Sequence, residues 1–227
     1  AGKTMVCCGL LKCLKDRRMK VTAFKCGPDY IDPMFHKEVL GIDSYNLDTF
    51  LCTRENTRKI FARHAGQSEI AVLEGVMGYY DGIGGSVTDA SAYDIAGVTD
   101  TPAVLLIDGR GTSLSIVPYI QGFLSFREKE APGSYIGGVV LNHVSPGHYM
   151  RLKEIIERET LVKVYGYVPE MKALSFESRH LGLKKPSEIE DFKDKMRLLG
   201  QQLEKTLDID GLICLAESAP DTADYTP

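Results

Sequence analysis

The chain has 227 residues, 44% hydrophobic and 26% charged, a composition that excludes the disordered and collagenous classes, and no run approaches the ~18 consecutive apolar residues of a membrane helix. Its 27 Lys and Arg stand against 31 Asp and Glu, a formal net charge of −4, which removes any bulk electrostatic reason to expect nucleic acid or an anionic membrane as partner and leaves a small-molecule site. At roughly 100–200 residues per domain, the length allows one large α/β domain or two small ones.

From Lys3 to about Asp16 apolar residues recur at helical spacing (Met5, Val6, Leu10, Leu11, Leu14). The stretch ends in Lys15, Asp16, Arg17 and Arg18, a basic run suited to a helix C-terminus and expected to be solvated. Lys20 to Cys26 (KVTAFKC) predicts a buried strand stopped by Gly27-Pro28. Arg54 to Ala65 then predicts an amphipathic helix, and Glu69 to Leu73 a second strand that runs into a loop holding Gly75, Gly78, Gly82, Gly84 and Gly85. Further strands are predicted at Ala103 to Ile107, Ile136 to Leu141 and Val162 to Val168, with helices near Ser91 to Ala96, Leu114 to Phe126, His148 to Glu159 and Ser187 to Leu207. Periodicity is lost from Glu217 to Pro227, which reads as a linker or tail.

Continuous apolar strands separated by helices predict an α/β fold with a mostly parallel sheet covered on both faces, and the element count favours one domain. Such sheets bind ligands at the carboxyl ends of their strands, here just after Cys26, Leu73, Ile107 and Leu141. The six cysteines (Cys7, Cys8, Cys13, Cys26, Cys52, Cys214) form no C-x-x-C pair and no zinc-type spacing with histidine. Reduced core thiols explain them and point to a cytoplasmic protein.

Chemistry-bearing residues gather where the sheet rule places them. Ala1-Gly2-Lys3-Thr4, at the head of an apolar helix, matches the second half of a phosphate-binding loop, G-x-x-x-x-G-K-[ST]. In such loops backbone N–H groups cradle phosphates, the lysine reaches the β/γ oxygens and the hydroxyl ligates Mg²⁺; Ala1 accordingly reads as a cut within the loop. Lys25, Asp29, Tyr30 and Asp32 crowd a Gly-Pro turn at a strand's carboxyl end, as a capped, solvated turn or as a site. Glu74 closes the second strand, where an isolated buried charge is costly unless a cation such as Mg²⁺ pairs with it. Asp81 returns to the same cleft or caps its own loop. Asp48 and Asp108 are open between ligand contacts and turn caps. Asn142 offers an amide that suits an adenine edge as it suits many other partners, and His143 and His148 read as loop histidines. Ser178-Arg179-His180 gives no hydrolytic triad, lacking an aspartate at triad spacing and a G-x-S-x-G elbow.

With AGKT, FKCGPDYIDPMFH, NLDTF, LEGVMGYYDG, GVVLNH and SRHLGL in this order, nearly the whole chain resembles the amino-terminal synthetase domains of the cobyrinic acid a,c-diamide synthase family. GPDYIDP and EGVMGYYDG carry the likeness, whereas GKT and GVVLN are shared with dethiobiotin synthetase and other P-loop proteins. The resemblance implies a P-loop, dethiobiotin-synthetase-like three-layer sandwich over residues 1–216, with 217–227 leading toward a glutaminase domain. It implies ATP- and Mg²⁺-dependent activation of the c and then the a carboxylate of a corrin or related tetrapyrrole as acyl phosphate, displaced by ammonia that the glutaminase domain releases from glutamine. Enzymes acting on hydrogenobyrinic acid or nickel sirohydrochlorin are equally similar. By the same resemblance Gly2, Lys3, Thr4 and Asn142 bind nucleotide, and Thr4, Glu74 and Asp29 take the metal. Lys3, Lys25, Asp29, Tyr30 and Asp81 serve the chemistry. A partitioning or assembly ATPase, a dethiobiotin-synthetase-like ligase and an interaction domain with a decayed loop remain as alternatives on the same fold.

Overall fold

The computed structural model describes residues 2–127, 129, 133–171 and 186–221, with the backbone alone for 186–190. Helix α1 (Lys3–Asp16) leads into strand β1 (Val21–Cys26), then a short helix α2 (Ile31–Phe35) that continues into a π-helical turn (His36–Leu40), and strand β2 (Ser44–Leu47). Helix α3 (Arg54–Ala65), strand β3 (Ile70–Glu74), helix α4 (Ala92–Thr99), strand β4 (Ala103–Asp108), helix α5 (Ile116–Ser125), strand β5 (Ile136–Asn142), helix α6 (Pro146–Thr160) and strand β6 (Val164–Val168) follow. Helices α7 (Pro186–Thr206) and α8 (Ile209–Glu217) close the order. Every predicted strand is present with ends shifted by two residues or fewer, the ordinary uncertainty of boundaries.

All strand pairs within the sheets are parallel, and they form two three-stranded sheets among the described residues, ordered β2-β1-β3 and β4-β5-β6. Helices lie on both faces. On one face, α1, α7 and α8 bury Leu11, Leu14, Met196, Leu199, Leu203 and Ile209 against strand residues of both sheets, including Ala23, Val140 and Val168. On the other, α3 and α4 pack Phe61 and Ile95 on Phe24 and Leu47, while α5 and α6 pack Ile116, Ile120, Leu152 and Ile156 on Leu105, Val139 and Leu141. Burial on both faces is why these strands read as continuous apolar runs. Helices α1 and α7 approach closely because position 9 is glycine: a Cβ there would lie 2.4 Å from Leu203 Cδ1.

Four elements escaped the sequence pattern. Strand β2 has only four residues, SYNL, too few to show a period. Helix α2 and its π-helical turn sit in the polar GPDYIDPMFH segment, and α8 follows a turn capped by Asp208, which accepts from Gly211 N–H at 2.8 Å. The basic run at the end of α1 is exposed, as expected, and within it Arg17 pairs with Glu204 at 2.5 Å and with Asp210, tying α1 to α7 and α8. Cys7, Cys8, Cys13 and Cys26 are buried free thiols, as read from the sequence, but Cys52 is half-buried and Cys214 exposed. Ser178-Arg179-His180 and residues 222–227 of the expected linker lie outside the described residues, and Glu217 is the last residue of α8.

Candidate active site

The carboxyl ends of β1 and β3 are hydrogen-bonded neighbours, with Lys25 opposite Glu74 in register. The head of α1 meets them. Gly2 begins that helix in the left-handed region (φ 77°, ψ 25°), and a Cβ at this position would lie 2.9 Å from Asn142 Nδ2, so conformation and space both require glycine. Lys3 Nζ donates to Met77 O at 2.7 Å, joining α1 to the loop after β3. Thr4 Oγ1 donates to Glu74 Oε1 at 2.6 Å.

Glu74 is buried and shares its Oε1 with Lys25 Nζ at 2.8 Å, while Lys25 also reaches Asp32 Oδ2 at 2.6 Å and stands 4.0 Å from Asp29 Oδ2. Four charged groups thus meet in a site largely closed to water. Burial opposes the charge on Lys25, but Glu74 and Asp32 outweigh it and hold the ammonium above its ordinary range. For Glu74 burial dominates and raises its pKa despite the pull of Lys25 and the Thr4 hydroxyl. A buried carboxylate held this way is a poor structural choice on energetic grounds, and perturbed groups in a cleft mark functional sites.

Asp29 Oδ1 accepts from Ile31 N–H at 2.9 Å and starts α2, while Asn46 Nδ2 donates to Gly27 O at 2.8 Å and also reaches Asp29 O, fixing the turn. Tyr30 is 70% exposed on that turn. Asp81 is bound into its own loop, where its Oδ2 accepts from Gly78 N–H at 2.8 Å. Asn142 is fully buried beside Gly2, and its Oδ1 accepts from His143 N–H at 3.1 Å. The structure therefore gathers Lys3, Thr4, Lys25 and Glu74, with Asp29 at their edge and Asn142 behind the loop, and leaves Tyr30 and Asp81 on the flanking loops.

Asp48 caps a turn by accepting from Phe50 N–H at 2.7 Å, and the cap of α3 is Thr53 instead. Asp108 is held by Arg110 (2.6 Å) and His143 (3.2 Å), and the Arg110 guanidinium keeps its carboxyl well below the usual range. His148 Nε2 lies 2.8 Å from Thr112 O. Asp32, placed by the sequence in the Gly-Pro turn cluster without a role, is the closest partner of Lys25, and one participant was not singled out from sequence: His36, which is fully buried with its Nδ1 3.0 Å from Ser44 Oγ. Burial pushes the His36 imidazole down to about 4, so it is neutral at pH 7. The signal for Asp32 was its spacing, three residues after Asp29 at the start of a helix.

A parallel α/β sheet with a G-K-T helix head beside a strand-end glutamate defines a P-loop nucleotide-binding domain. Residues 1–183 match the family model described as the CobQ/CobB/MinD/ParA nucleotide binding domain, and the chain belongs to this family. It is 39% identical over 221 residues to the cobyrinate a,c-diamide synthase of Listeria innocua serovar 6a, covering 96% of this chain and 48% of that protein. It is 38% identical over 221 residues to the enzyme of the same name from Thermoplasma volcanium, covering 97% and 47%. The chain thus spans about half the length of these curated relatives. The MinD cell division protein of Aquifex aeolicus matches with a TM-score of 0.50 at 13% identity, over 95% of this chain and 90% of that one, which shows the shared fold. No helix among the described residues is long and apolar enough to cross a membrane.

Proposed function

We propose that this chain is the synthetase part of an ATP-dependent amidoligase acting on the a and c side-chain carboxylates of cobyrinate or a closely related tetrapyrrole. The observation that carries the reading is the Thr4–Glu74–Lys25 constellation at the head of α1, in a chain similar over nearly its whole length to cobyrinate a,c-diamide synthases. Residues 1–216 form the synthetase domain and 217–227 lead to a glutaminase domain that supplies ammonia, a division supported by relatives about twice as long. Nucleic acid and membrane are not partners in this reading, and the protein is cytoplasmic.

A carboxylate is a poor acyl donor, and phosphorylation gives it a leaving group. Transfer brings two anions together, the substrate carboxylate and the γ-phosphate, so cations must converge on the oxygens that gain charge. Lys3, held at Met77 O in the loop after β3, is the cation assigned to the phosphates, and the N–H groups at Gly2, Lys3 and Thr4 face them from the helix head, with Asn142 backing the turn on the nucleotide side. Mg²⁺ fits the donor set, because the Thr4 hydroxyl and the Glu74 carboxylate are hard oxygen ligands, with Asp29 at the edge; when bound it would supply positive charge to offset that of the phosphates. Lys25, fixed by Glu74 and Asp32, offsets part of their negative charge beneath the transferring group. Asp81 shapes the Gly78 turn next to the incoming carboxylate. Tyr30, Phe50, Leu51 and Met77 are exposed on loops after the adjacent strands β1, β2 and β3, an apolar rim that suits the flat face of a macrocycle.

The full-length protein, given ATP, Mg²⁺, ammonia and cobyrinate, is expected to release phosphate and form the diamide. Glu74→Gln should lower turnover at least ~100-fold, the scale of losing one aligned electrostatic group, with an unchanged circular dichroism spectrum. Failure of any tetrapyrrole a,c-diacid to elicit phosphate, or normal turnover in the variant, would overturn the reading.

A further inference from the structure

Glu74 also belongs to a second cluster, whose other two members, Cys7 and His36, the proposed reaction does not use. One ligand-capable atom from each of Cys7, His36 and Glu74 lies within 4.8 Å of the other two, and all three residues are buried. The three come from different elements: α1, the π-helical turn and the end of β3. Helices seldom widen to a π-turn, and where they do the widening commonly serves a site; here it carries His36.

Two orphaned atoms point to a ligand. His36 Nε2 and Glu74 Oε2 are buried and have no hydrogen-bond partner, whereas buried polar atoms are almost always satisfied. The other atom of each group is engaged. Glu74 Oε1 accepts from Thr4 and Lys25, and His36 Nδ1 stands 3.0 Å from Ser44 Oγ. With the proton on Nδ1 and donated to Ser44, Nε2 presents its lone pair, the arrangement in which a partner on one ring nitrogen orients the other toward a metal.

We propose that Cys7 Sγ, His36 Nε2 and Glu74 Oε2 form a buried three-ligand site for a borderline-soft divalent cation of the Zn²⁺ class. Thiolate, imidazole and carboxylate are the donors such an ion takes. Bond lengths of 2.0–2.3 Å imply ligand atoms roughly 3.3–3.8 Å apart in a tetrahedral shell, so atoms now within 4.8 Å of one another close in by at most about 1.5 Å on binding. Binding breaks the S–H bond of Cys7, forms the metal–sulfur bond and releases one proton to solvent. The charge then balances. Glu74, Asp32 and the Cys7 thiolate contribute three negative charges, and Lys25 and the ion three positive ones. The hard-oxygen pair of Thr4 Oγ1 and Glu74 Oε1 uses the other carboxylate oxygen, so the two cation preferences divide across one carboxylate.

Cobalt(II) titration of the full-length protein, freed of metal with chelator and carrying Cys52→Ser and Cys214→Ser to remove the more accessible thiols, tests this without nucleotide or turnover. One equivalent of Co²⁺ should bind, show a thiolate-to-cobalt charge-transfer band, and be displaced by Zn²⁺. Cys7→Ser should abolish the band, Cys8→Ser should leave it, and His36→Gln should weaken binding by at least ~10-fold. Ligands on separate elements keep the test decisive if one variant fails to fold. A missing band in the parent protein, or a band that survives both Cys7→Ser and His36→Gln, would overturn the site even if the amidoligase reading stands. A failed turnover assay with these titrations intact would have the opposite meaning.

Discussion

The two sheets are built alike and loaded differently. In β4-β5-β6 the strands bury Leu105, Ile107, Val139, Leu141 and Val164 against α5 and α6, and the ionic group at the strand ends, Asp108 with Arg110, is open to solvent. In β2-β1-β3 the corresponding ends bury Lys25, Glu74, Asp32 and His36 together. Burying an ion pair recovers at best what desolvation costs, and apolar residues of similar volume often serve stability as well or better. A fold that carries its charges inside on one half and outside on the other therefore separates a scaffold half from the half that holds the proposed site. The G-K-T helix head lies against the charged half through Thr4 and Glu74, and touches the other half through Gly2 and Asn142.

The comparison is broken most directly at Lys25. Lys25→Met keeps the length and apolar stem of the side chain but leaves Glu74 and Asp32 as two buried carboxylates without their shared cation. Removing one partner of a buried charged set costs about 3–5 kcal/mol, and urea denaturation should show a loss of that size at pH 7. A loss below about 1 kcal/mol would mean that water reaches these groups freely and that the two halves do not differ as described.

The scaffold half was legible because its physics is local and repetitive. AVLLI and IGGVVL are continuous apolar runs long enough to announce buried strands, and the helices between them show their period. The charged half was legible in its motifs more than in its geometry. Lys3, Thr4 and Glu74 could be placed together because a helix head and a strand end are fixed points of this topology. That Lys25 would pair with Asp32 more closely than with Asp29 depends on a five-residue helix containing Pro33, too short to leave a periodic trace. His36 ends a polar segment whose spacing carries no burial signal, and its burial follows from the π-helical turn that brings it to Ser44. Asp81 and Tyr30 were found by type and position, but their contacts are set by loop conformation, which no spacing encodes.

Proton linkage sharpens the contrast at an intermediate magnitude. The folded-state pKa of His36 is pushed down to about 4 by burial, against an ordinary value near 6.5. The unfolded chain therefore binds the extra proton first, and stability falls as pH drops from about 6.5 toward 4. At pH 5 the loss relative to pH 7 from this group is ~2 kcal/mol. Glu74 runs the other way, since its raised pKa lets the folded state hold a proton more readily as pH falls. The informative quantity is thus the difference between wild type and His36→Gln, measured with EDTA present. The variant should lose less stability between pH 7 and pH 5 by about that amount, and equal losses would mean that His36 is protonated in the folded protein.

The smallest effect is expected on the apolar half. Asp108 is bound by Arg110 and lies beside His143, and its depressed pKa looks at first like the signature of a site. Arg110 is exposed and Asp108 half-buried, with side chains 65% and 31% accessible, so water screens most of what the short distance suggests. Exposed ion pairs contribute roughly 0–1 kcal/mol, and Asp108→Asn keeps the shape and the ability to accept from Arg110 N–H. Its unfolding free energy from urea denaturation should fall by less than about 1 kcal/mol at pH 7, with a smaller change still in high salt. A loss approaching that of Lys25→Met would show that charge at the end of β4 is as deeply committed as charge at the end of β1, and that the reactive centre extends across both sheets.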